Sequence, residues 1–256
     1  MVKKMLGFIT FFIVAILFAA PLILTLYYSF ITDMMFNLKN YSDLLVNCFS
    51  FYPAFWNSVI YSIIIAAMQI VVILLASFTF TQIKSKCMDI LFVFFVILML
   101  MPLQVTLLPN YIGLRDMNML DTRSAIIIPL IFSPLCLVIM RQYMKNLNYS
   151  IIEAVRLESN SIIRIIISGV IPQIKNCIFA VIILSIAESW NMLEQPMQFL
   201  KNADLMPLSV FMSGASEYGN NILYPAAVIS IIPIMLIYFI FQETLTKGIV
   251  IGGEQK

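Results

Sequence analysis

Charge is nearly absent from six long stretches of this sequence, and that absence constrains the fold more than any motif. Residues 5–32, 57–81, 90–110, 124–140 and 218–242 contain no Asp, Glu, Lys or Arg, and residues 176–193 contain only Glu188. A hydrocarbon layer about 30 Å thick is crossed by ~20 residues of α-helix at ~1.5 Å per residue. The six stretches therefore predict an all-α polytopic membrane protein with six transmembrane helices, forming a single transmembrane domain over 1–256. Composition agrees: 62% of residues are apolar and 11% charged, against roughly 45–50% and 25% in soluble domains. The first stretch is too long for a secretory h-region and lacks a small-residue cleavage site, so it is read as a retained span.

Several functions are excluded early. There is no histidine, which removes the commonest general base and metal ligand near neutral pH. Cys48, Cys87, Cys136 and Cys177 are far apart and form no CxxC pair, so they are read as small buried hydrophobes and no metal site is expected. The net charge of +2 comes without a long basic block, which argues against nucleic acid. No G-x-x-x-x-G-K-[ST] segment is present, so this chain should hold neither ATP nor Mg through a P-loop.

Orientation follows from the basic residues. With both termini in the cytoplasm, eleven lie inside (Lys3, Lys4, Lys84, Lys86, Arg141, Lys145, Arg156, Arg164, Lys175, Lys247, Lys256) and four outside (Lys39, Arg115, Arg123, Lys201). The positive-inside rule favours that arrangement over its inverse.

The inside segment 141–175 is long. Within it, Ser150 and Glu153 have capping-box spacing, predicting a short helix from Ile151 to about Glu158 with a left-handed cap at Asn160. Pro172 is expected to break the apolar run that follows. Taken on local physics alone, Glu153 caps this helix and Arg156 is solvated; alternatively the helix is gripped by a soluble partner.

The residues of this loop resemble a known pattern. Glu153-Ala154-Val155, followed by Ser159 and Ile171-Pro172, is similar to the EAA loop of binding-protein-dependent ABC-importer permeases. The run Met101-Pro102-Leu103-Gln104-Val105-Thr106-Leu107-Leu108-Pro109-Asn110-Tyr111 resembles the P-x-Q-V-T-L-x-P-x-Y segment of carbohydrate-uptake permeases of the maltose MalG type. Asn57-Ser58, Ile128-Pro129, Met140-Arg141-Gln142-Tyr143 and Ser189-Trp190-Asn191 fit the same family, so the likeness runs from about residue 40 to 242. Departures are Val155 for the usual alanine, Ser159 for glycine, Glu158 for aspartate, and Gln242-Glu243-Thr244-Leu245 near the end.

The resemblance implies a non-catalytic permease in a bacterial cytoplasmic membrane, forming half of a path for a carbohydrate. Its implied partners are an ABC ATPase dimer that binds ATP and Mg, a second and non-identical permease chain, and an extracytoplasmic solute-binding protein. The loop 196–220 is assigned to the binding protein by the same analogy. Glu153, Ala154, Val155, Arg156, Glu158 and Ser159 would contact or shape the ATPase coupling. Gln104, Thr106, Glu188, Ser189, Trp190 and Asn191 are candidates for the translocation path. Glu188 and Trp190 have a second reading, as a locally paired carboxylate and an interfacial anchor; Gln104 and Thr106 have one as interhelical hydrogen bonds. The alternatives in function are a permease for a polyamine or phosphonate, or an ATP-independent secondary transporter.

Overall fold

The computed structural model describes residues 2–32 and 35–250, with side chains described at residues 7, 10–32 and 35–242. Lys3, Lys4, Lys247 and Lys256 of the charge count, Asp33 and the 243–245 departure lie outside the described side chains.

The chain is helical almost throughout, and the described helices are α1 (Val2–Ser29), α2 (Lys39–Ser42), α3 (Phe51–Gln82), α4 (Lys86–Met99), α5 (Leu103–Asp116), α6 (Arg123–Leu130), α7 (Pro134–Lys145), α8 (Tyr149–Glu158), α9 (Ile162–Arg164), α10 (Ile171–Trp190), α11 (Glu194–Phe199), α12 (Leu208–Gly214) and α13 (Asn220–Val250). A two-residue antiparallel pair, β1 (Ile31–Thr32) and β2 (Met35–Phe36), pairs Ile31 with Phe36 and Thr32 with Met35. Buried Asn40 ties this pair to the end of α1, its amide donating to the carbonyls of Tyr28, Ser29 and Ile31 while Oδ1 accepts from Thr32. The Tyr28 and Ser29 carbonyls are helix-end groups with no intrahelical donor, which is why a buried amide suits the position.

Among the described residues, five helices are long and apolar enough to cross a membrane: 10–29, 51–82, 123–145, 162–190 and 220–242. The third expected span is not one straight helix. It is α4 and α5, meeting at 107° across a three-residue break that contains Pro102. A proline cannot donate to the preceding turn, and the residue before it is pushed out of helical geometry.

Helix α3 is the axis of the bundle, packing along α10 and α7 and, at one end, against α12 and α6. Its interior face combines aliphatic Ile65 and Ile73 with small or polar Ser58, Ser62, Ala66, Gln69 and Ser77. Small residues permit close helix approach where no hydrophobic effect drives association. Gln69 has a further task. Pro134 has no N–H for the carbonyl of Leu130, four residues earlier, and Gln69 Nε2 donates to that carbonyl at 3.0 Å. By contrast, α1 exposes Phe11, Leu17, Phe18 and Ile23 and packs chiefly on α13, as a lipid-facing helix should.

Three further expectations are corrected. Residues 141–175 are not one long loop: α7 continues to Lys145, and a membrane-length helix begins at residue 162. Pro172 does not break it, because Pro172 sits in the first turn of α10, after a π-helical stretch (Ile165–Val170). The helix runs on through it: the Ile171 N–H reaches back to the Ile166 carbonyl in the wider π turn, which accommodates the proline's missing donor. Nor do Ser150 and Asn160 end α8. The N-cap is Asn148, whose Oδ1 accepts from the Ser150 N–H at 3.1 Å, and Ser159 ends the helix in extended geometry. Among non-glycine described residues only Asn118 and Asp121 have positive φ.

Candidate functional site

Helix α8 is short, amphipathic and held at three points. Ile152 is buried against Gly169 of the π-helical stretch, and a Cβ added at Gly169 would lie 3.7 Å from the Ile152 Cα. Arg156 donates to Gln82 Oε1 at the end of α3, at 3.0 Å. Gln173 of α10 accepts from the Asn148 N–H at 3.0 Å. The inner stripe is therefore Ile152, Val155, Arg156 and Ser159, at helical spacing. The opposite stripe, Glu153, Ala154, Leu157 and Glu158, is exposed, and Leu157 is 91% exposed at its centre. A leucine so placed outside the membrane-spanning helices, between two carboxylates, gains nothing from the chain's own fold.

The structure separates the six coupling-loop residues by face. Glu153, Ala154 and Glu158 point outward; Val155 and Ser159 are half-buried, and Arg156 is engaged with Gln82. Gln82, Gln173 and Leu157 were not singled out in the sequence. Leu157 could have been found by placing Ile152, Val155 and Ser159 on one face and reading the residue opposite.

The other candidates also divide. Gln104, one residue into α5, donates to both carboxylate oxygens of Glu194 at 3.0 and 3.2 Å, joining the bent α4–α5 junction to the start of α11. Thr106 donates back to the Leu103 carbonyl. Glu188 is exposed, with no hydrogen bond or ion pair among the described residues. Ser189 is buried and bonds to the carbonyls of Ser185 and Ile186 within its own helix. Trp190 is buried edge-on to Phe55, their centroids 6.0 Å apart. Asn191 donates to the Ala187 carbonyl and caps α10. The exposed polar groups of this set are thus Gln104, Glu188 and Asn191, while Ser189 and Trp190 pack the helix end.

On the same side as Trp190, the start of α3 clasps the segment after α11. Asn57 donates to the carbonyls of Asp204 and Met206 at 2.7 and 3.1 Å, Tyr61 donates to Leu205 at 2.9 Å, and Ser58 accepts from the Leu208 N–H at 2.8 Å. Asp121 makes a second tie, accepting from the Lys201 and Asn202 amides at 2.8 Å each. Those two N–H groups hold its carboxyl below the usual carboxylate range.

No family model matches the chain. Individual relatives do. The arabinooligosaccharides transport system permease protein AraQ of Bacillus subtilis is 26% identical over 226 residues, covering 87% of this chain and 80% of that protein. Over most of its length the chain is thus similar to carbohydrate-type ABC-importer permeases. The sn-glycerol-3-phosphate transport system permease protein UgpE of Brucella abortus is 22% identical to the permease over 200 residues, 76% of this chain and 71% of the relative. A crystal structure of a bacterial ABC transporter involved in the import of the acidic polysaccharide alginate contains a chain with the permease's fold, at a TM-score of 0.83, 18% identity and 94% and 96% coverage. In the permease, the EAA-like residues are those of α8, and the Asn57-Ser58 pair is the clasp just described.

Proposed function

We propose that the permease imports a carbohydrate, working beside a second permease chain of different sequence. It would bind an ABC ATPase through α8 and receive solute from an extracytoplasmic binding protein, in a cytoplasmic membrane with both its termini inside. ATP and Mg belong to the ATPase. The observation that carries this reading is the outward stripe of α8, with Leu157 exposed at its centre. An ATP-independent transporter has no use for such a helix.

The contacts of α8 suggest how force would pass. Ile152 bears on the π-helical stretch leading into α10, and Arg156 on the end of α3. These are the two helices at the centre of the bundle. A push on α8 from a closing ATPase dimer would therefore bias one two-state equilibrium of the whole bundle. The path would run past the α4–α5 junction, where Gln104 meets Glu194, with Glu188 toward the second permease chain. Broken helices are tolerated in membranes where they line a cavity or a protein interior. Carbohydrate is favoured by the AraQ relationship over most of the chain. The UgpE relatives favour, second, a small phosphorylated polyol.

Purification of the tagged chain from its own membranes tests the reading. An ATPase and a second permease should co-purify, and Leu157→Lys should release the ATPase while retaining the second permease. A chain that purifies alone contradicts it.

A further inference from the structure

A cavity of about 710 Å³ opens beside α8, between the end of α3, the start of α4 and the end of α7. Four cations line it, Lys84, Lys86, Arg141 and Lys145, against one carboxylate, Asp89. Arg141 is 8% exposed: its guanidinium lies 3.7 Å from the Phe92 ring centroid and contacts the Phe80 carbonyl and Asp89 at 3.4 Å each. Among the described residues, Lys84, Lys86 and Lys145 have no hydrogen bond or ion pair. The N-terminus of α4, capped by Ser85, adds its positive dipole end to the same space.

The surroundings restrict the ligand. From Lys86 and Asp89 at the cavity, the same face of α4 continues through Ile90, Val93 and Ile97, all exposed. The opposite face carries Phe92 and Phe95, which pack against Phe80. An anion held by the lysines would thus have an open aliphatic track leading into the membrane-crossing region. A soluble phosphate has no use for that track; a phospholipid uses both parts.

We propose that this cavity binds the phosphate group of an anionic phospholipid, with an acyl chain laid along Ile90, Val93 and Ile97. Basic pockets at the membrane face between spanning helices recognise such headgroups by charge. The site abuts the start of α8 through Tyr149, so an occupying headgroup would brace the base of that helix.

The test is native mass spectrometry of the full transporter in mild detergent, titrated with phosphatidylglycerol, phosphatidylcholine or inorganic phosphate. The variant Lys84→Gln/Lys86→Gln/Lys145→Gln alters only exposed side chains and leaves buried Arg141 in place. Phosphatidylglycerol should bind the native protein in preference to phosphatidylcholine. Its affinity should fall on the order of a hundredfold in the triple variant, since each interfacial cation contributes roughly fivefold. Ile90→Asn/Val93→Asn/Ile97→Asn should weaken the lipid and leave inorganic phosphate unaffected. Equal lipid retention by the triple lysine variant overturns the site. Inorganic phosphate bound as tightly as phosphatidylglycerol overturns the lipid. Loss of the ATPase subunit with unchanged lipid binding reassigns the basic rim to protein docking.

Discussion

The clasp at the start of α3 can be broken with one side chain of nearly unchanged shape. In Asn57→Leu, the carbonyls of Asp204 and Met206 lose their donors at 2.7 and 3.1 Å. Each net hydrogen bond is worth about 1 kcal/mol. The larger penalty for stranded buried groups, ~1–3 kcal/mol each, does not apply in full, because Asp204 is exposed and Met206 half-buried, so water can replace the lost donor. Asn57 itself is 3% exposed, and leucine fills its place. The sum is about 2 kcal/mol, or roughly a thirtyfold rise in local opening. Hydrogen exchange followed by mass spectrometry reads this directly. The amides of 203–206 and 208, including the Leu208 N–H bound to Ser58, should exchange about thirtyfold faster, while the α3 interior is unchanged. A rise of less than about threefold would refute the hydrogen-bond account of why Asn57 and Ser58 occur here.

Two further outcomes are expected. Asp121 is tied to the Lys201 and Asn202 amides as a carboxylate, with its pKa lowered by them. A carboxyl of lowered folded-state pKa stabilises above its unfolded value and loses that contribution as pH falls through the folded value. Protection at 200–203, taken relative to the intrinsic exchange rate at each pH, should therefore fall only on acidification below the usual 3.8, and Asp121→Ala should flatten that dependence; an identical acid response in the variant sinks the assignment. Gly219 has φ 94 and ψ 163, a region open essentially to glycine, and an added Cβ would lie 2.8 Å from Asn221 Oδ1. Gly219→Ala should cost about 1–3 kcal/mol, visible as a lower melting temperature in detergent, and an unchanged melt would count against it.

Much of the architecture was legible because a membrane punishes charge so heavily that span cores declare themselves. The all-α polytopic fold followed from charge-free length alone. The breaks were less legible. Pro102 and Pro172 look alike in sequence, yet one bends the chain by 107° and the other sits quietly in a first turn. What separates them is the chain just before: Pro102 follows the end of α4, whereas Pro172 follows directly on a π-helical turn that carries the helix through it. The cap of α8 shows the same degeneracy: Asn148 and Ser150 are both good caps two residues apart, and Gln173, 25 residues on, favours the first by taking the Asn148 N–H. The clasp joins Asn57 to carbonyls 147 and 149 residues away; no local pattern reports that. Ser189-Trp190-Asn191 was recognisable as a motif, but only the packing separates Trp190, buried on Phe55, from exposed Glu188.

In the function proposed above, α8 makes this permease depend on a separate ATPase. That dependence is tested most directly by carbohydrate uptake into vesicles holding the purified transporter, with ATP or a non-hydrolysable analogue on the α8 side, for native chain and Leu157→Lys. Uptake is expected with ATP only, and none in the variant although the permease remains folded. Uptake by the native chain without ATP hydrolysis, or undiminished ATP-driven uptake by Leu157→Lys, would contradict it.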